Sequence, residues 1–184
     1  MNSLPIEAEA AASPLYTFVT TEDRFLELLG HLKTVSRLAI DTEADSLYHY
    51  YEKVCLIQIS TDRETWILDP LALRDVDRLA PCVSDPSVEK VFHAAGYDTY
   101  CLHRDYGFTF RNLFDTHIAA QLLGYEFLGL STLMEEFLCI HNSKMRQRDD
   151  WSRRPMDSEE LNYAAMATQH LLRMLLFVNV FNCF

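Results

Sequence analysis

RLAIDTEAD (37–45) opens on a short apolar run, Arg37–Asp41, that ends in acid. It is followed by VCLIQIS (54–60), apolar on both faces and rich in strand formers, and by TWIL (65–68), which stops at Asp69-Pro70. Three strands in quick succession, with turns between them, predict an antiparallel meander. Upstream, Phe25, Leu28, Leu29 and Leu32 form a helical stripe over Thr21–Leu32, with Thr20 and Asp23 as a capping pair. Downstream the pattern alternates: a helix near Leu73–Val83, a strand over Lys90–Ala94, a helix over Tyr97–Tyr106 and a last strand over Phe110–Phe114. The remainder reads as helix, over Thr116–Leu123, over Ser131–Leu138 and in a long segment from Ser158. Asp157 and Glu160 form a capping box at the start of that last segment. Strands first, then alternation, predict an α/β domain: a central mixed sheet with antiparallel first strands, flanked by helices.

A chain of 184 residues with 49% apolar side chains is long enough to bury a sizeable core in one domain. Met1–Ser13 is polar and Ala-rich without the profile of a secretory signal, so residues 1–15 read as a flexible arm and 16–184 as the folded domain. The longest apolar run, near Met174–Val180, is too short to cross a bilayer, and no membrane partner is expected. The uncharged stretch Met174–Phe184 could be a truncated helix, a frameshifted tail or a partner-binding strip. Cys55, Cys82, Cys101, Cys139 and Cys183 are odd in number and scattered, which suits reduced thiols in the cytoplasm better than a disulfide framework or a zinc site. The net charge of −11 does not favour holding a polyanion over a broad surface. Lys144, Arg146, Arg148, Arg153 and Arg154 do crowd one stretch, diluted by Asp149 and Asp150, and read first as a solvated loop.

Side chains two apart on a strand point the same way, so Asp41 and Glu43 project from one sheet face. Two adjacent carboxylates repel, and a hard divalent cation such as Mg²⁺ or Mn²⁺ would neutralise them; a plain solvated turn is the competing reading. Asp98 falls at a strand-to-helix junction, where carboxylates either face a ligand crevice or stabilise a helix N-terminus. Asp115 admits the same cap reading. Tyr163 lies on the last helix with Ala167 one turn further along the same face.

Taken together, Asp41-Thr42-Glu43, Phe92-His93-Ala94-Ala95-Gly96-Tyr97-Asp98, Phe114-Asp115-Thr116-His117, Asp150-Trp151-Ser152-Arg153-Arg154-Pro155 and Tyr163-Ala164-Ala165 resemble the ribonuclease D family, in order, from about Tyr16 to Arg173. This is the tyrosine-bearing branch of the DEDD 3′-5′ exonucleases. The resemblance implies a ribonuclease-H-like fold and stepwise hydrolysis of single-stranded 3′ ends, RNA ahead of DNA, with two divalent ions. It implies Asp41, Glu43 and Asp98 as metal ligands: Asp41 between both ions, Glu43 on the first, Asp98 on the second largely through water. Tyr163 would orient the attacking water, and Thr42, His93 and Tyr97 are the candidate substrate contacts. Longer members carry a C-terminal helical nucleic-acid-binding domain, for which residues 16–184 leave no room.

The family's last carboxylate falls on Ala167. No Asp or Glu follows between Leu161 and Phe184; Gln169 and His170 follow closely, but neither occupies the same angular position on the helix, and a neutral imidazole is a poor ligand for Mg²⁺. The expectation is therefore a nuclease site whose first ion is crippled. The alternative is a non-catalytic RNA-binding or protein-interaction module on the same fold.

Overall fold

In the computed structural model, which describes residues 16–141 and 146–175, the strands β1 (Thr17–Val19), β2 (Arg37–Ala44), β3 (Val54–Ser60), β4 (Thr65–Leu68), β5 (Glu89–Phe92) and β6 (Leu113–Asp115) form one mixed sheet. Their order is β1-β4-β3-β2-β5-β6. The expected meander is there: β2 pairs β3, and β3 pairs β4, antiparallel. The other three pairings are parallel. β2 runs three residues past the expected Asp41 because β3 is long enough to supply partners for Thr42 and Glu43; a register irregularity follows between Glu43 and Ala44.

Alternation along the strands divides the core. Leu38, Ile40, Ile57, Ile59 and Phe92 face a layer that includes α1 (Glu22–Leu32) and α3 (Gly96–Tyr106), with Phe25, Leu28 and Leu102 buried against them. Each such side chain contributes ~1.5–3 kcal/mol by leaving water. On the opposite face Ala39 and Val91 meet Leu133 of α5 (Leu130–Leu138), while Leu56 and Ile67 meet Trp151, Leu161 and Ala164. Leu161 and Ala164 belong to α6 (Ser158–Gln169), which crosses β2, β3 and β4. Asp41 and Glu43 share the Ala39 face by period-two alternation, and so look toward α6.

Some expected boundaries move for local reasons. Thr21, not Thr20, caps α1, accepting from Arg24 N. The helix expected near Leu73–Val83 is a 3₁₀ turn, Val76–Leu79, followed by α2 (Ala80–Ser84): Pro81 cannot donate inside a continuous helix but fits the first turn of a new one. β6 starts after Asn112, whose left-handed backbone (φ 55°) interrupts an extended run, and Phe110 packs edge-on against Phe92 instead. β1 is an edge strand too short to leave a sequence pattern. The capping box at Asp157 and Glu160 forms as expected, but α6 ends at Gln169, and helix resumes only at 171–175. Of the apolar stretch from Met174, Met174 and Leu175 are buried beside Leu133; residues 176–184, like the N-terminal arm, lie outside the described residues.

Candidate active site

Three elements converge at the end of β2. The strand supplies Asp41 and Glu43, the first turn of α3 supplies Asp98, and α6 supplies Tyr163 and, one turn on, Ala167. Thr42, on the alternate side of the pleat, donates its hydroxyl to Asp98 Oδ1 at 2.5 Å, which ties α3 to the strand between the two carboxylates. Asp41, Glu43, Tyr163 and Ala167 line a cleft of about 400 Å³ whose far wall is His93 and residues 128–131. The cleft therefore has three carboxylates at or beside it, a phenol on one wall, and a methyl group where the resemblance implies a fourth acid.

The carboxylates hold their protons unusually tightly. Burial, then the charge of Asp98, pushes Asp41 well above the usual carboxylate range. Burial and the charges of Asp41, Asp98 and Asp149 do the same to Glu43. Asp98 is raised to about 6, chiefly by burial and against the stabilising hydrogen bond from Thr42. Burial and the nearby Glu43 and Asp41 also raise the Tyr163 phenol, so it stays protonated at neutral pH and keeps an O–H to donate. Its ring stacks on the buried Trp151, 5.9 Å between centroids, which fixes where that O–H sits.

Crowded, mutually repelling hard oxygen donors suit a hard divalent cation in kind and in charge. Among the described residues, however, no three His, Cys, Asp or Glu side chains converge into a ready-made metal cage. The donors fit; the enclosure is incomplete, and Ala167 stands on its rim without a ligand atom.

Of the candidate substrate contacts, Thr42 and His93 line the cleft and Tyr97 does not. His93 Nδ1 sits 3.0 Å from Thr116 Oγ1, and burial beside His117 lowers its pKa to about 4, so it is a neutral imidazole. Tyr97 points away and donates to Glu52 at 2.7 Å. Asp115 is structural: it accepts from Ala94 N and Ala95 N, where Ala94 takes a left-handed backbone (φ 61°), and caps α4 (Thr116–Leu122) through His117 N.

The basic run is mostly paired, with Arg148 exposed and its guanidinium without a partner among the described residues. Arg154 turns inward and grips Asp69 with two hydrogen bonds, 2.6 and 2.8 Å, and also donates to the carbonyl of Cys55. Arg153 pairs with Glu160, and Arg146 with Asp149 and Glu159. Lys144 lies outside the described residues. Gln58 was not anticipated: it sits opposite Asp41 in the β2–β3 ladder, fully buried, and neither polar atom of its amide has a partner among the described residues. The signal was available as the one polar residue in the interior of VCLIQIS.

Residues 16–178 match the family described as 3′-5′ exonuclease. The chain belongs to this family. Within it, the chain is similar to Protein RRP6-like 3 of Arabidopsis thaliana, 37% identical over 167 residues, which is 90% of this chain and 19% of that protein. The solved catalytic core of RRP6 from Trypanosoma brucei superposes with a TM-score of 0.86 at 33% identity, over 92% of this chain and 47% of that one. Escherichia coli RNase D, described as an exoribonuclease involved in structured RNA processing, does so with a TM-score of 0.84 at 29% identity, over 90% and 44%. The chain thus spans under a fifth of the curated relative and about half of each solved one. The central mixed sheet flanked by helices is the ribonuclease-H-like fold of these RNase D and RRP6 exonuclease domains.

Proposed function

We propose that this chain is built to remove nucleotides from single-stranded 3′ ends, RNA ahead of DNA, and that as written it does so poorly. The observation that carries both halves is the shared cleft of Asp41, Glu43, Tyr163 and Ala167, with Asp98 tied in through Thr42. The family works with divalent ions, which in an intact site clamp the scissile phosphate and lower the pKa of the attacking water. Asp41, Glu43 and Asp98 would hold them, as Mg²⁺ or Mn²⁺. Their raised pKa values mean that these carboxylates hold protons which a cation would have to displace.

Tyr163, neutral and braced by Trp151, accepts or donates one hydrogen bond at a fixed point above the carboxylates and so orients a water toward the phosphate. His93, uncharged at neutral pH and held by Thr116 and the Leu128 backbone, lines the cleft without adding charge to it. Ala167 contributes no oxygen, so an ion held by Asp41 and Glu43 would find no ligand there. The thiols of Cys55, Cys82, Cys101 and Cys139 are free, and no helix among the described residues is long and apolar enough to cross a membrane; both fit the cytoplasmic setting we infer.

The test is trimming of a 3′ single-stranded oligoribonucleotide in Mn²⁺, before and after Ala167→Asp. The parent chain should show almost no release of mononucleotides, and the variant should gain at least about 100-fold, the order lost when one positioned charge is removed from such a site. Robust trimming by the parent would sink the impairment. Ala167 also favours a second reading, a domain that binds 3′ ends without cutting them; metal-independent binding of single-stranded RNA in calorimetry, with no gain of cleavage in Ala167→Asp, would select it.

A further inference from the structure

The turn that leaves the active-site strand is fastened on both flanks and presents two aromatic rings to solvent. Its base is closed by Asp45, which accepts from Lys53 N at 2.8 Å and from Lys53 Nζ. On one flank Glu52 accepts from Tyr97 Oη and from Arg104 Nη1, both at 2.7 Å and both from α3. On the other, Tyr48 donates to the carbonyl of Arg148 at 2.6 Å, and His49 Nε2 lies 3.0 Å from Ser152 Oγ. Gln147, next to that anchor, lines the cleft. The turn is therefore a strap between the two sides of the site.

Tyr50 and Tyr51 are the exception to this fastening. They are 92% and 87% exposed, their ring centroids lie 4.8 Å apart, and neither hydroxyl has a hydrogen-bond partner among the described residues. Tyr51 also holds a left-handed backbone (φ 63°), which a bulky side chain adopts only at a cost in strain. Two adjacent exposed rings on a strap held this firmly expose apolar surface that folding does not require. Arg148, whose carbonyl anchors Tyr48 of the strap, is exposed, and its guanidinium has no partner among the described residues. Exposed rings on the strap and an unpaired cation at its anchor are the elements of a single-stranded nucleic-acid platform, where bases stack on rings and a cation meets the phosphate.

We infer that Tyr50 and Tyr51 form a stacking platform for nucleotides of single-stranded RNA lying upstream of the 3′ end held in the cleft. The inference rests on the exonuclease reading above. The rings do not line the cleft, so they act on upstream nucleotides and not on the terminal ones. Tyr50 lies seven residues beyond Glu43, a reach of at most ~25 Å, so platform and carboxylates can serve one strand. The platform contributes affinity and substrate length preference, and takes no part in bond cleavage.

The experiment is calorimetric titration of the full chain, in Mn²⁺, with a dinucleotide and with a decanucleotide of oligoadenylate, both carrying phosphorothioate linkages to block cleavage. Tyr50→Ala and Tyr51→Ala should each weaken decanucleotide binding about 10-fold while leaving the dinucleotide unchanged. Tyr50→Phe should stay within about twofold of the parent, because stacking needs the ring and not the hydroxyl. Tyr51→Gly should bind the decanucleotide as weakly as Tyr51→Ala while unfolding at a higher temperature, since it relieves the left-handed strain. Decanucleotide binding that is strong in the parent and unchanged in the alanine variants would overturn the platform and leave the exonuclease reading standing. Equal losses for both lengths would overturn it too, by placing the rings at the terminal nucleotides. A dimer of the parent chain in light scattering that the alanine variants abolish would reassign the rings to a second copy. If the parent binds neither oligonucleotide, the exonuclease reading itself fails, and the platform with it.

Discussion

At the scale of single residues, the active-site face is defined as much by what lacks a partner as by what is paired. Ala167 brings no oxygen to the cleft, and Gln58, on the strand beneath α6, brings an amide that bonds to nothing among the described residues. Directly paired residues of an antiparallel ladder share a face, so Gln58 lies beside Asp41 under the small side chains of Ala164 and Ala165. A buried amide without partners costs about 1–3 kcal/mol, whereas an apolar side chain of similar volume costs nothing in hydrogen bonds. Gln58→Leu should therefore raise the unfolding free energy of the metal-free chain in urea, while Gln58→Ala, which opens a cavity, should lower it by ~2 kcal/mol or more. If the leucine variant is also destabilised, the amide has partners in solution and is not a stored cost.

At the scale of elements, the segment before α6 acts as a clamp that sets where Tyr163 stands. Arg154 reaches across to Asp69 at the end of β4 and to the Cys55 carbonyl in β3, while Trp151 slides under the Tyr163 ring. Asp69 is almost wholly buried, so removing its counter-charge leaves an uncompensated carboxylate. Arg154→Ala should cost about 3 kcal/mol in urea unfolding, and Asp69→Asn added to it should recover part of that loss. A loss no larger than that of Arg148→Ala, whose exposed guanidinium has no partner among the described residues, would show that the clamp carries no weight. This clamp also marks the limit of what the sequence discloses. Strands with clear apolar runs, the capping box of α6 and the pairing of Asp41 with Glu43 were legible because each depends on neighbours along the chain. The inward turn of Arg154 was not, because Arg154 and Asp69 are 85 residues apart and a cluster of basic residues looks the same whether solvated or paired. Likewise β1 exists only because β4 offers it an edge, and Gln58 is an anomaly only once α6 has covered it.

For the whole molecule, the carboxylates divide into two sets that pull stability in opposite directions with pH. Asp45, hydrogen-bonded to Lys53, has its pKa lowered despite the opposing effect of burial, so it stabilises the fold above about pH 4 and ceases to do so as pH falls through its folded value. Asp41, Glu43 and Asp98 are raised, so the folded chain binds their protons more tightly than the unfolded chain does. Their effect is absent at low pH, where both states are protonated, and becomes a growing penalty as pH rises from about 4 through their folded values, about 6 for Asp98. A cation that binds the deprotonated site selects the folded state and offsets that penalty. The melting temperature in chelator should therefore fall between about pH 5 and pH 8, at ~2–4 °C for each kcal/mol lost, and excess Mn²⁺ should restore more of it at the upper end. Asp98→Asn carries no proton to lose, so its fall over the same range should be shallower than the parent's. Equal slopes in parent and variant would mean that Asp98 ionises as freely in the fold as in water. A Mn²⁺ effect of the same size at both ends of the range would mean that the cation binds away from these carboxylates.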